Sequence, residues 1–368
     1  MPGKAYNPKG FEPEMHERMD APSPEVMELH RKVVAKERAQ RPKRVTYKET
    51  QEYRRRGESH ILGHYVYEQW FDVYSGIEDE LLNGAWDSHL HIYPDYVPRR
   101  IDMIDLAIDA SKAGMAGVVC KDHFFSNVGA AWGAQRFVDD MVRRGELEQS
   151  CQVLGTIMLA WSHDPIQVHL GRKYPNLGGI FFSTMSGRGG CGPDLPILDS
   201  KGKLLSEVKE CMDVCGENRI YIMSGHRTPD EQMAMAEYAH KIGARILITH
   251  AGSGPLTSTL VAGSAAWHER IEQCREMGRL GAYLEIGGNK CIPNILWPCV
   301  DPNLIIDIIK AFGPKYCVAN TDFGQIQCTH PLEEFKLYIR IMLHRGLSKE
   351  DIKLMIQTNP AKALYLED

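Results

Sequence analysis

The sequence predicts an α/β fold: a (β/α)8 barrel of the TIM type over residues 81–368, preceded by a helical and irregular extension over residues 1–80. Three observations lead there. From about residue 82 onward, short apolar runs alternate with amphipathic stretches, the rhythm of right-handed βαβ units around a parallel sheet. The runs number eight, as the closed barrel requires. Several of them end on histidine or aspartate, at the strand ends that converge on the catalytic face of such a barrel.

The extension comes first. It is rich in Pro, Glu, Arg and Lys, and Pro24–Val34 reads as a charged helix with a thin apolar stripe. Arg54, Arg55 and Arg56 form a basic run of the kind that solvates a face. His60 and His64 have a helical ligand spacing but no acidic partner motif. The segment is too short and polar for a core of its own. Its aromatics Tyr65, Tyr67, Trp70, Phe71 and Tyr74 need a surface to lie on, which points to the main domain or a homo-oligomer.

The first strand, Gly84–Ile92, carries Asp87-Ser88-His89-Leu90-His91. Strict alternation puts Asp87, His89 and His91 on one face and Ser88 and Leu90 on the other. Two imidazoles on one face can reach a single cation, although a solitary His-X-His is more often structural. The second strand, Gly117–His123, directs Lys121 and His123 one way and Cys120 and Asp122 the other. A lysine buried beside a cation must lose or pair its charge. Carboxylated by CO2, Lys121 would become an anionic ligand able to bridge two metals; otherwise it pairs with a carboxylate or with substrate.

Strands three and four are placed at Gln152–Ala160 and Gly179–Ser183. The glycine-rich Ser186–Gly192 that follows lies in a long loop, not in a tight strand-to-helix turn. This counts against the alternative of a doubly wound nucleotide-binding sheet and suits a pocket rim. Strand five, Arg219–His226, ends on His226. Strand six, Arg245–His250, ends on His250. Strand seven, Ala282–Ile286, brings Glu285, a substrate contact or half of an ion pair. Strand eight, Tyr316–Asp322, ends on Asp322. By alternation His226 shares a face with Ile222, His250 with Ile248 and Asp322 with Val318. Helices are expected at Ile101–Ala113, Pro229–Ile242, Trp267–Met277 and Pro302–Phe312, with a last one, Ser348–Gln357, after strand eight. One such histidine is commonly a core or capping residue. Four histidines and an aspartate at one end of a barrel predict a metal site.

Composition narrows the function. In 368 residues, 43% hydrophobic and 25% charged, there is ample material for a sizeable core. A net charge of -5 without a basic stripe argues against nucleic acid as a partner, and no apolar run is long enough for a membrane span. The ten cysteines are scattered without a CxxC, and Cys211 and Cys215 read as buried thiols on a helix. With no apolar signal core at the start, a reduced, cytoplasmic setting is expected.

Taken together, Asp87-Ser88-His89-Leu90-His91, His226, His250 and Asp322 in this order resemble the amidohydrolase superfamily of metal-dependent hydrolases. Asn359-Pro360-Ala361-Lys362-Ala363-Leu364 is also similar to that family's C-terminal helix start. The resemblance covers roughly residues 85–368. It implies one or two divalent ions, zinc first, with manganese, iron or nickel as alternatives. His89 and His91 would hold one ion, His226 and His250 a second or shared one, and Asp322 would be ligand and base. One departure matters: strand four ends Gly179–Thr184 without the family's bridging lysine or glutamate. Either Lys121 or His123 supplies a bridge, or the site holds one ion.

The expected reaction is hydrolysis of an amide, cyclic amide or lactone of a small molecule. Asp322 would move the water proton, and His250 and His226 would act as ligands or oxyanion stabilisers. The alternative is metal-dependent decarboxylation of a carboxylated molecule. A binding protein with a vestigial site is a third reading, against which the intact ligand set argues. Substrate contacts are expected from Tyr93, Arg188, Arg227, Glu285 and Gln325, and from Phe124 and Trp132. Arg188 and Arg227 suit a carboxylate. Asn320 and Thr321 are placed to orient the ligands.

Overall fold

The computed structural model describes Glu28, Lys32 and residues 76–183, 195–252, 260, 263–292 and 300–367. Chain contacts divide the protein into Met1–Glu58 and Ser59–Asp368. In the first unit Glu28 and Lys32 are helical and pair one turn apart at 3.8 Å. His60, His64, the aromatic run after them and Arg188 lie outside the described residues.

In the second unit the expected barrel is present. Its strands are β1 Trp86–His91, β2 Gly117–Lys121, β3 Gln152–Leu159, β4 Leu177–Phe182, β5 Ile222–Met223, β6 Ile246–Ile248, β7 Tyr283–Gly287 and β8 Cys317–Asn320. Each pairs in parallel with the next. The seam between β8 and β1 is closed by backbone hydrogen bonds: the Asp322 N–H donates to the His89 carbonyl at 2.8 Å, and the His91 N–H to Phe323 at 2.7 Å. The functional end of the barrel is stitched at the residues of interest.

Alternation divides the strands between two apolar clusters. Trp86, Val119, Leu154, Met158, Phe181, Tyr221, Met223, Leu247 and Val318 fill the lumen. Val118, Cys120, Ile222, Ile248, Ile286, Cys317 and Ala319 point outward onto the helices. A fully buried Leu, Ile or Phe of this kind contributes about 1.5–3 kcal/mol. Ala361, Ala363 and Leu364 join the luminal cluster. Asn359 binds the Cys317 carbonyl at 2.7 Å, and Tyr365 accepts from the Arg245 N–H at 2.7 Å, so the chain end closes the barrel where strands begin.

The helices start where local chemistry sets them. Pro229–Ile242 opens on a Thr228–Glu231 capping box and stops at Gly243 in the left-handed region. Met103–Lys112 is capped by Asp102, and Ala265–Arg279 by Ser264. One difference from the sequence reading follows β8: the amphipathic helix Pro331–His344 comes first, and the expected last helix is Lys349–Lys353 continued through a π turn, Leu354–Thr358. No helix among the described residues is long and apolar enough to cross a membrane. The eight cysteines described are free and buried.

Candidate metal centre

β5, β6 and β8 are shorter than the sequence reading, and they stop before the residues that matter. His226, His250 and Asp322 lie two or three positions beyond β5, β6 and β8. Ile222 and Ile248 point outward, so strict alternation would have turned His226 and His250 away from the lumen. The backbone corrects this. Gly225 (φ 72°), His250 (φ 56°) and Asp322 (φ 52°) all adopt the left-handed region. At Gly225 a Cβ would overlap the Phe182 carbonyl, so only glycine fits that approach. For histidine and aspartate this conformation is a strain of about 1–3 kcal/mol, of the sort that functional sites hold.

A β-bulge does the same on β1. Asp87 pairs with Val118 and Leu90 with Cys120, so β1 carries one residue more than its partner between those points. The face assignment from the sequence therefore changes. Ser88 accepts from luminal Asn320 at 3.2 Å, whereas Asp87 turns to Thr321 and accepts from its hydroxyl at 2.5 Å and its N–H at 3.1 Å. His89 and His91 both enter the site. Burial raises the Asp87 carboxyl to about 7 against these hydrogen bonds.

Five side chains then converge. Asp322 Oδ1 lies 3.3 Å from His89 Nε2 and 3.2 Å from His91 Nε2, and its Oδ2 lies 3.6 Å from His250 Nε2. His250 Nε2 is 3.0 Å from His226 Nε2. Each histidine turns its ε nitrogen inward. Burial pushes His89 down to about 3 and lowers His91, His226 and His250, so the imidazoles are neutral at pH 7 with lone pairs to offer. Burial alone would raise Asp322, but the facing imidazoles of His89, His250 and His91 outweigh it and hold the carboxylate ionised. Neutral imidazoles whose ring nitrogens face one another around a carboxylate fit a divalent cation.

The supports are equally specific. Glu285 Oε1 lies 2.6 Å from His89 Nδ1, and Oε2 accepts from the His250 N–H at 3.1 Å. This fixes His89 with its ε nitrogen free of the proton, as a ligand needs. Glu285 is thus engaged with the cage and, among the described residues, not with an arginine. Asn289, on the turn after β7, donates to Asp322 Oδ2 at 2.6 Å. Lys121 Nζ lies 3.2 Å from His89 Nε2 and 4.4 Å from the centre of the Phe181 ring, with its pKa pushed down to about 8 by burial. His123 stacks on His91 and bonds Asp95 at 2.9 Å, at the edge of the cage and not among the five.

The expected substrate contacts disperse. Gln325 donates to the Asp322 carbonyl at 3.1 Å, Arg227 to the Leu195 carbonyl at 2.9 Å, and Tyr93 is half exposed. Trp132 is exposed on the helix Val128–Arg143. Phe124 lies between Tyr96, edge-on at 5.2 Å, and Trp161, stacked at 5.2 Å, forming an aromatic shelf from the loops after β1, β2 and β3. Sequence reasoning named Phe124 but missed Asn289, Asp95, Arg99 and the other two rings of the shelf, Tyr96 and Trp161. Asn289 follows a strand end, so the rule that found Asp322 would have found it; Asp95 and Arg99 sit in a loop with no such signal.

Solved structures share the architecture. A probable 2-pyrone-4,6-dicarboxylic acid hydrolase from Acinetobacter baumannii aligns with a TM-score of 0.53 at 11% identity, covering 77% of this chain and 99% of that one. An amidohydrolase from Burkholderia multivorans aligns at 0.50 and 12%, over 76% and 99%. The probable dipeptidase PvdM from Pseudomonas aeruginosa aligns at 0.51 and 13%, over 78% and 96%. At these identities the likeness is one of fold alone, the barrel that the sequence predicts. No curated protein matches the chain in sequence. A sequence profile does match it over residues 84–285, from β1 through Glu285, and by that match the chain belongs to the family of unknown function DUF6282.

Proposed function

We propose that the protein is a metal-dependent hydrolase that cleaves an amide, cyclic amide or lactone of a small molecule. The observation that carries this reading is the convergence of His89, His91, His226, His250 and Asp322, each with a ring nitrogen or carboxylate oxygen within 3.6 Å of another, on a barrel face where catalytic groups gather. His89, His91 and Asp322 would hold the ion, with His226 and His250 as further ligands, and zinc is the first choice for four imidazoles and a carboxylate. When bound, such an ion polarises a carbonyl and makes water acidic.

The chain's own groups supply the rest. Asp322, oriented by Asn289, takes the proton of the attacking water and returns it to the leaving nitrogen or oxygen. Glu285 keeps His89 in its ligating tautomer. Lys121 reaches the edge of the cage and, carboxylated, would serve as the bridging ligand that strand four lacks. The shelf of Tyr96, Phe124 and Trp161 suits a substrate with a flat apolar portion. The names of the structural neighbours, a pyrone hydrolase, an amidohydrolase and a dipeptidase, support carbonyl–oxygen or carbonyl–nitrogen cleavage over other chemistry.

The test joins metal analysis of the purified protein to a screen of lactones and amides. Hydrolysis that disappears with a chelator and returns with zinc or manganese is the expected result. Release of CO2 without hydrolysis would replace this reading with metal-dependent decarboxylation, and full activity in metal-free protein would end both.

A further inference from the structure

Two groups among the described residues bring ligand atoms within 4.8 Å of one another, and they share His91: His89, His91 and Asp322 form one, and His91, Asp95 and His123 the other. They differ in what the donors already hold. In the second group it is the guanidinium of Arg99. Its Nε and Nη2 donate to Asp95 Oδ2 at 2.8 and 2.6 Å, and Nη2 also lies 2.9 Å from His123 Nδ1. The Arg99 side chain is 2% exposed and that of Asp95 0%, so the pair is shut off from water. Burial would raise the Asp95 carboxyl, but His123, His91 and Arg99 together hold it well below the usual range.

A guanidinium keeps its proton at any pH at which the protein is folded. The place between Asp95 and His123 is therefore permanently positive. An incoming divalent ion would have to bond the carboxylate and the imidazole that already face Arg99, with a like charge in contact. The sequence makes this local: Asp95 and Arg99 are four residues apart in the loop after β1, so one loop delivers both the anion and its cation.

We infer that Arg99 is the resident cation of the second group, keeping a metal ion out of the His91–Asp95–His123 position and converting Asp95 and His123 into supports of the ligand His91. His91 shows both relationships. Its Nε2 faces Asp322 at 3.2 Å, while its Nδ1 faces Asp95 at 3.7 Å and its ring stacks on His123 at 4.6 Å and 10°. The inference rests on the metal reading of His89, His91 and Asp322, and it removes His123 as a bridging ligand.

The test counts metal per chain by plasma mass spectrometry after incubation with manganese or zinc and desalting. Arg99→Ala should bind one ion more than the wild type. Arg99→Lys, which keeps a cation in place, should match the wild type, and Arg99→Ala combined with Asp95→Asn should return to the wild-type number. A folded Arg99→Ala protein with the wild-type count overturns the inference. Should that variant not fold, anomalous scattering from manganese-soaked wild-type crystals decides. A peak within bonding distance of the Asp95 carboxylate overturns the inference, and a peak at Asp322 with none at Asp95 supports it. A wild type with no ion at Asp322 counts against the functional reading alone, because the added ion of Arg99→Ala is read at Asp95.

Discussion

Glu285 binds the cage at two points, the imidazole of His89 and the backbone N–H of His250. Carboxylates that orient metal-bound histidines are typically worth 10–100-fold in metal affinity. Glu285→Gln is therefore expected to weaken zinc binding by about that factor, read by competition with a chromophoric chelator. An unchanged affinity would reduce Glu285 to packing. Asp322 is different because it combines a ligand position with the proton transfer. Asp322→Asn should lower turnover on whichever lactone or amide the screen finds by about 100-fold or more, the scale of a lost general base. Undiminished turnover would take the proton shuttle away from it.

At the scale of elements, two local distortions build the cage: the bulge on β1 and the left-handed residues after β5, β6 and β8. Gly225 is the clearest case. Alanine there meets both a positive φ and the Phe182 carbonyl. A non-glycine residue in that region costs about 1–2 kcal/mol before any clash is counted. Gly225→Ala should lower unfolding stability by at least about 2 kcal/mol in a urea titration and displace His226, weakening metal binding in step. Gly324, at φ 121° with a Cβ that would overlap the His91 carbonyl, should behave alike on the opposite side of the seam. A stability equal to wild type in either variant would show that these approaches relax easily.

For the whole molecule, burying so many neutral imidazoles makes stability depend on pH in a fixed direction. The pKa of His89 is about 3 and that of His163 about 4 in the folded chain, below the ordinary 6.5, so below pH 6.5 the unfolded chain binds more protons. Their contribution is complete above pH 6.5 and is lost as pH falls toward those values, at about 1.4 kcal/mol per pH unit for each group. Asp87, raised to about 7 from 3.8, works the other way over its own range, but it is outnumbered by the buried histidines. Metal-free protein should therefore unfold at clearly lower denaturant at pH 5 than at pH 7.5. Equal midpoints would mean that the histidines are not held neutral.

The sequence by itself determined the barrel, because periodicity and strand-end chemistry are local properties that survive in one dimension. It also placed His89, His91, His226, His250 and Asp322 at one end of that barrel, since each follows an apolar run whose direction the parallel fold dictates. Only the tertiary structure decided how they enter the lumen. Strict alternation pointed His226 and His250 outward, and a bulge or a left-handed turn is set by the neighbouring backbone, as at Gly225 against Phe182. The partners were decided there too. Glu285 with His89 and Arg99 with His123 are separated by 196 and 24 residues, and no local pattern records which charge a fold will set against which imidazole.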